Sequence, residues 1–203
     1  MAEAECVMLA AGRSSRMDAW KMTLPWGEST IIEHSVRTAL NVCARVVLIS
    51  GFRAEELDGL FRDWQRVEVV KNESFREGMF SSVQRGAQVL GSGGFFLALG
   101  DMPGVSEDTY RDLLGWDGKL ASISTGTAYA VIPKYRGKKG HPLLLSPQMR
   151  TRILETSVSM TLRDVLAEVP TVIVPVDDNG ILHDIDTPAD YRSWHDREQN
   201  DSR

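Results

Sequence analysis

The sequence predicts a doubly wound α/β domain built on a mostly parallel sheet. Three observations point there. Short apolar runs of strand length alternate with segments of helical period from the first residues onward. Several of those runs, such as Val46–Ser50 and Phe95–Leu99, are apolar almost throughout, as strands buried on both faces are. The chain has 203 residues, 42% hydrophobic and 25% charged, which suits one globular α/β unit.

In chain order, strands are predicted over 4–9, 46–50, 67–70, 95–99, 128–132, 143–145, 171–176 and 181–185. The first helix opens on Thr30-Ile31-Ile32-Glu33, a capping box in which the Glu reaches back to the cap. Ile31, Ile32, Ser35, Val36, Ala39 and Leu40 then form one stripe at helical spacing. Leu57, Leu60, Phe61 and Trp64 form a second stripe. Further helices are predicted over 81–90, 106–114, 147–154 and 160–169. The last begins at Thr187-Pro188-Ala189-Asp190, with Thr as cap, Pro at the first helical position and an acid in the first turn. The stretch 129–145 contains Pro133, Gly137, Gly140 and Pro142 and reads as an insertion near the sheet edge. Without a repeat or a long linker, residues 1–196 form one domain and 197–203 a disordered polar tail.

A net charge of −5 argues against binding DNA or RNA, which requires a basic face. No apolar run approaches the roughly 20 residues of a membrane span. Residues 1–5 carry acids and no cation, unlike a signal peptide. Cys6 and Cys43 sit in apolar stretches without metal-ligand spacing, as reduced buried thiols of a cytoplasmic protein do. A monomer is expected.

In open α/β sheets, ligands bind beyond the carboxyl ends of the strands, so the loops after strands carry the chemistry. Leu9-Ala10-Ala11-Gly12-Arg13-Ser14-Ser15-Arg16-Met17, followed by Lys21, leaves the first strand. Its small residues let backbone N–H groups approach a ligand, the serines add donors, and Arg13, Arg16 and Lys21 add three cations. That set suits a triphosphate, although the loop is neither a G-x-G-x-x-G turn nor a P-loop. A solvated basic loop is the plain alternative. Asp101 ends a wholly apolar strand at Leu99-Gly100-Asp101-Met102-Pro103, where a carboxylate must be solvated, paired or bound to a cation. Asp186 lies after a second predicted strand, with Asp184 one pleat back on the same face. Asp101 and Asp186 at one sheet edge make a site for a hard cation such as Mg²⁺; a turn cap and a helix-start acid are their bland alternatives.

Leu9-Ala10-Ala11-Gly12, Ser14, Arg16-Met17 and Lys21 together resemble the signature loop of the nucleoside-triphosphate transferase superfamily, and Gly100-Asp101-Met102-Pro103 its metal motif. Asn72, Phe75, Gly78-Met79 and Ser81-Ser82, then Gly137, Gly140-His141-Pro142 and Asp184-Ile185-Asp186-Thr187-Pro188, resemble the molybdenum cofactor cytidylyltransferase family. The resemblance spans about 6–191. It implies a single-domain Rossmann-like three-layer α/β/α sandwich and transfer of CMP from CTP to molybdopterin or molybdenum cofactor, with release of pyrophosphate. It implies catalytic roles for Arg16, Lys21 and Asp101, and Mg²⁺ on Asp101 and Asp186. Nucleotide contacts fall to Leu9, Ala10, Ala11, Gly12, Arg13, Ser14, Arg16, Lys21, Asn72, Gly78, Ser82 and Gly100. Acceptor contacts fall to Gly140, His141 and Pro142, and a molybdenum hydroxylase is the implied recipient. Ala11, where GTP-using relatives tend to carry Gly, points to a pyrimidine nucleotide. Asp18 and Met102 depart from the usual Gly and Gln, and Asp18 is expected to face solvent. Outside that family, a sugar- or polyol-phosphate nucleotidyltransferase and a non-catalytic cofactor-binding accessory protein are the alternatives.

Overall fold

The computed structural model describes residues 4–17, 19–121 and 126–201; Asp18 lies outside the described residues. The chain opens with β1 (Glu5–Leu9), then a short hairpin of β2 (Pro25–Trp26) and β3 (Ser29–Thr30). It continues through α1 (Ile31–Leu40), β4 (Val46–Ser50), α2 (Ala54–Phe61), β5 (Val67–Lys71), α3 (Met79–Val89), β6 (Phe95–Leu99) and α4 (Glu107–Ala121). The remaining elements are β7 (Ala130–Tyr135), β8 (Lys138–Lys139), β9 (Leu143–Leu145), α5 (Pro147–Glu155), α6 (Leu162–Ala167), β10 (Thr171–Pro175) and α7 (Pro188–Asp201). Helix α7 runs to Asp201, and residues 202 and 203 of the expected tail lie outside the described residues.

Across the main sheet the order is β10, β7, β9, β6, β1, β4, β5, with β8 paired to β7. β1 lies parallel to both β4 and β6, and β4 parallel to β5. β9 runs antiparallel to its neighbours β6 and β7. The chain winds outward from β1 to β5 and then crosses back to β6 on the other side of β1. The strand order therefore reverses between β1 and β6, the switch point at which such sheets bind ligands.

Alternate side chains of each strand feed two cores. Cys6, Met8, Leu48, Phe96 and Ala98 meet Ile32, Val36, Leu57, Phe61 and Leu113 of α1, α2 and α4. Val7, Ile49, Leu97, Ala130 and Leu145 meet Phe80, Val83, Met149, Ile153 and Val165 of α3, α5 and α6. Helices on both faces give the expected three layers. They also explain the unbroken apolar runs: all five residues of β4 are buried. Burial of each large aliphatic side chain contributes about 1.5–3 kcal/mol before entropy is charged against it. The capping box of α1 forms as read, with Thr30 Oγ1 accepting from the Glu33 N–H at 3.3 Å and the Thr30 N–H donating to Glu33 Oε2 at 3.0 Å.

Two expectations change. Residues 181–185 are not a strand. Residues Asn179–Leu182 form a 3-10 turn, and residues 183–187 after it belong to no strand. The alternation that mimicked a strand is anchoring instead: Ile181 and Ile185 are each 1% exposed. The stretch 129–145 is not an edge insertion. β7 and β9 lie within the sheet between β6 and β10, because Leu143, Leu144 and Leu145 are apolar toward both layers and buried.

Candidate active site

The backbone ladder carries the end of β1 directly into the loop after it. The Ala10 N–H donates to Ile49 O at 2.9 Å, and the Gly100 N–H donates to Leu9 O at 3.0 Å. The loops after β1 and β6 therefore leave the sheet side by side. Ser14 takes the left-handed conformation, φ 54°, and turns the first loop back on itself. Its Oγ accepts from the Lys21 N–H at 3.2 Å, its carbonyl accepts from the Met17 N–H at 2.9 Å, and Trp20 Nε1 donates to Gly12 O at 3.3 Å. The loop is closed internally, which aims Lys21 back toward β6.

Three carboxylates converge there. Asp101, Asp184 and Asp186 each place an oxygen within 4.8 Å of the others. Asp101 comes from the end of β6. The two other acids arrive from the far end of the chain, held by the Ile185 N–H donating to Asp101 O at 2.9 Å. Lys21 Nζ lies 2.5 Å from Asp101 Oδ2 and 2.7 Å from Asp186 Oδ1, and Lys21 is only 5% exposed. Arg16 pairs with the other oxygen of Asp186.

The protonation pattern follows from this arrangement. Burial works to lower the Lys21 pKa, but Asp101 and Asp186 more than offset it, so the ammonium is held above its ordinary value. Burial likewise works to raise Asp186, yet the hydrogen bond and charge of Lys21, together with Arg16, bring it below the ordinary carboxylate value. Asp184 goes the other way: burial, then the charge of Asp186, then that of Asp101, raise its pKa. Three acids face two bases, so one negative charge is in excess. An oxygen-lined site with surplus negative charge fits a hard divalent cation by ligand type and charge.

A cleft of about 350 Å³ opens over this cluster. Of the nucleotide-site residues expected from sequence, Leu9, Ala11, Gly12, Ser14, Arg16, Lys21, Gly78 and Ser82 line it, as do Asp101 and Asp186. Gly78 has φ 112°, a conformation that glycine alone adopts without strain, and it caps α3 at the rim. Other expected residues stand elsewhere. Ala10 is buried in the core, and the Arg13 guanidinium lies 5.9 Å from the Phe52 ring centre. Gly100 packs beneath Ile32: a Cβ there would come within 2.5 Å of Ile32 Cδ1.

Asn72 is buried behind the wall. Its amide donates to Ser81 Oγ at 2.9 Å and Ser82 Oγ at 3.0 Å, and its Oδ1 accepts from the Ser74 N–H at 3.0 Å. It ties the end of β5 to the start of α3 and so positions Gly78 and Ser82. Asn72→Ala should destabilise the chain by about 1–3 kcal/mol, because buried hydroxyls lose their donor. Urea unfolding checks this; a change below about 0.5 kcal/mol would refute the tie.

His141 and Pro142 line a separate small void with Ser35, Thr38, Met102 and Tyr110. Nδ1 of His141 is buried there without a hydrogen-bond partner among the described residues. Burial lowers the pKa of this ring, against the Leu97 carbonyl and the charge of Asp101. Gly140 meets the 3-10 turn so closely that a Cβ would lie 2.0 Å from Ile181 O, and the His141 N–H donates to that same oxygen at 3.0 Å. In this structure the Gly140-His141 segment is the seat of the turn that leads to Asp184 and Asp186.

Sequence reasoning gave Asp184 no metal role and, although it named Ser15 as a donor of the loop and Phe75 and Met79 as motif residues, it assigned none of Met22, Phe75, Met79 and Leu99 to the cleft wall. Asp184 was within reach of inspection, two residues before Asp186. Phe75 and Met79 carried a signal only as part of the motif around Gly78, whereas Met22 and Leu99 read as core.

Three comparisons bear on the site. The family described as "MobA-like NTP transferase domain" matches residues 6–172. The molybdenum cofactor cytidylyltransferase of Escherichia coli (strain K12) is 31% identical over 191 residues, 94% of this chain and 95% of that protein. A probable molybdenum cofactor guanylyltransferase of Bacillus mycoides (strain KBAB4) is 27% identical over 154 residues, 75% of this chain and 72% of that protein. Among solved structures, a nucleotidyl transferase from Methanothermobacter superposes with a TM-score of 0.78 at 24% identity, covering 98% of each chain. No helix among the described residues is long and apolar enough to cross a membrane.

Proposed function

Because the chain belongs to the MobA-like NTP transferase domain family and is a nucleotidyltransferase, we propose that it transfers CMP from CTP to the phosphate of molybdopterin or the molybdenum cofactor. The observation that carries this reading is the convergence of Asp101, Asp184 and Asp186 on Arg16 and Lys21 at the floor of a ligand-sized cleft. CTP as donor is supported by the 31% identity to a cytidylyltransferase over nearly the full length, and by Ala11 in the loop.

In the proposed reaction an acceptor phosphate oxygen attacks the α-phosphorus of CTP. The new P–O bond forms as the bond to the β-phosphate breaks, and pyrophosphate leaves. The acceptor phosphate is already ionised near neutral pH, so the residues have no proton to remove. Arg16 and Lys21 neutralise the charge that builds on the departing pyrophosphate. Gly12 and Ser14 hold the loop shape that presents these cations, and Ser82 and Gly78 bound the nucleotide on the α3 side. Magnesium, held by Asp101 and Asp186 with Asp184 beside them, would supply Lewis-acid neutralisation at the α-phosphate. A cytoplasmic site of action, with a molybdenum hydroxylase receiving the product, belongs to the same reading; the free, buried Cys6 and Cys43 support it.

The test is pyrophosphate release from each of the four nucleoside triphosphates, with and without molybdopterin, in the presence of Mg²⁺. Release from CTP alone, dependent on acceptor, is expected. Preference for GTP would overturn the donor assignment, and release that ignores molybdopterin would overturn the acceptor.

A further inference from the structure

The two cations assigned to the triphosphate and the acids assigned to the metal are bonded to each other. Lys21 Nζ sits between Asp101 Oδ2 and Asp186 Oδ1, at 2.5 and 2.7 Å, and Arg16 takes Asp186 Oδ2. Both oxygens of Asp186 and one of Asp101 thus already hold a positive group of the chain's own. A Mg²⁺ or Mn²⁺ ion sits about 2.1 Å from a carboxylate oxygen. If it shared Asp101 Oδ2 with the ammonium, the two would be at most about 4.6 Å apart, the sum of 2.1 and 2.5. With Lys21 only 5% exposed, little water screens that repulsion.

We infer that Lys21 and the divalent cation exclude one another at Asp101 and Asp186, so that the metal enters only when a triphosphate draws the ammonium and the Arg16 guanidinium away. Lys21 is then more than a phosphate ligand. It couples two binding events: phosphate oxygens compete with the acids for Lys21, and the acids so released become available to the metal. By linkage each ligand strengthens the other. The chain keeps Asp101 and Asp186 paired to its own cations until a triphosphate arrives, and leaves Asp184 as the excess charge beside them. This inference rests on the metal assignment made above and goes beyond it in predicting what removing the lysine does to metal binding alone.

The experiment measures Mn²⁺ binding by electron paramagnetic resonance on the full chain, without nucleotide. Lys21→Met should bind Mn²⁺ about tenfold or more tighter than wild type, within the usual range of coupling between sites. It should do so although it has lost pyrophosphate release. Equal or weaker binding by Lys21→Met overturns the inference and leaves the transferase reading standing. Adding Asp101→Asn to Lys21→Met should abolish the gain; if the gain persists, the ion is bound elsewhere and the competition is refuted. A second measurement needs no variant, in case Lys21→Met fails to fold. Crystals of wild type grown with Mn²⁺ alone should show Lys21 still bridging the two acids, whereas crystals grown with Mn²⁺ and CTP should show the ion on the acids and Lys21 on phosphate. An ion on Asp101 and Asp186 with the lysine still between them would refute the proposal.

Discussion

Asp101→Asn should reduce pyrophosphate release by roughly 10³-fold while leaving a folded protein, the size of loss typical when a preorganised charge at a reacting phosphate is removed. The substitution keeps shape and hydrogen-bonding capacity but deletes the charge nearest Lys21. Folding tolerates this because the ammonium keeps Asp186 at 2.7 Å as a partner. The cost of the lost pairing is about 1–3 kcal/mol, well below what unfolds a domain of this size. Steady-state pyrophosphate release and thermal denaturation measured side by side check it. Turnover within tenfold of wild type would end the assignment of Asp101. Loss of the cooperative transition would instead show that the acid is chiefly structural.

Gly140→Ala should be among the most damaging single methyl additions for stability, alongside one at Gly180, whose Cβ would meet Gly104 O at 1.9 Å. At Gly140 the Cβ would lie 2.0 Å from the carbonyl oxygen of Ile181 and 2.7 Å from the carbonyl carbon, both backbone atoms that cannot rotate away. Either β8 and the residues after it shift, or the 3-10 turn at Asn179–Leu182 lifts. In the second case Ile181, 1% exposed, leaves its seat and carries Asp184 and Asp186 with it. Overpacking against mobile side chains costs about 1–3 kcal/mol, and a collision with backbone belongs at or above the top of that range. Activity should fall further than stability alone explains, since the acids move by more than the fold does. Urea unfolding combined with turnover in the folded fraction separates the two. A neutral Gly140→Ala would show that the turn slides freely.

Much of the fold was written in local pattern. The capping box at Thr30 and Glu33 needs only residues three apart, and the burial of β4 on both faces shows in its unbroken apolar run. Residues 181–185 were misread because Ile181 and Ile185 alternate with polar residues as a strand's would; the distinguishing fact is the lack of a partner strand, which is not local. β9 was underweighted for the opposite reason. Three leucines are too short a run to signal a central strand until β6 and β7 are seen on either side. At the site, the loop cations and strand-end acids were legible as types at strand ends. Their mutual pairing was not: Lys21 finds Asp186 across 165 residues of chain, and the same sequence pattern would fit cations facing solvent.

The way the acids are gathered has a consequence for how the protein is made. The loops after β1 and β6 are anchored to each other by the Gly100–Leu9 hydrogen bond and are both synthesised by the middle of the chain. Asp184 and Asp186 are translated near the end and dock through Ile185 onto Asp101. Until then the nascent polypeptide carries Arg16 and Lys21 opposite a single carboxylate. A chain released before residue 184 would lack two of the three converging acids and the Ile185 anchor, so premature termination there is expected to yield an inert product, which an assay of such a truncation would check.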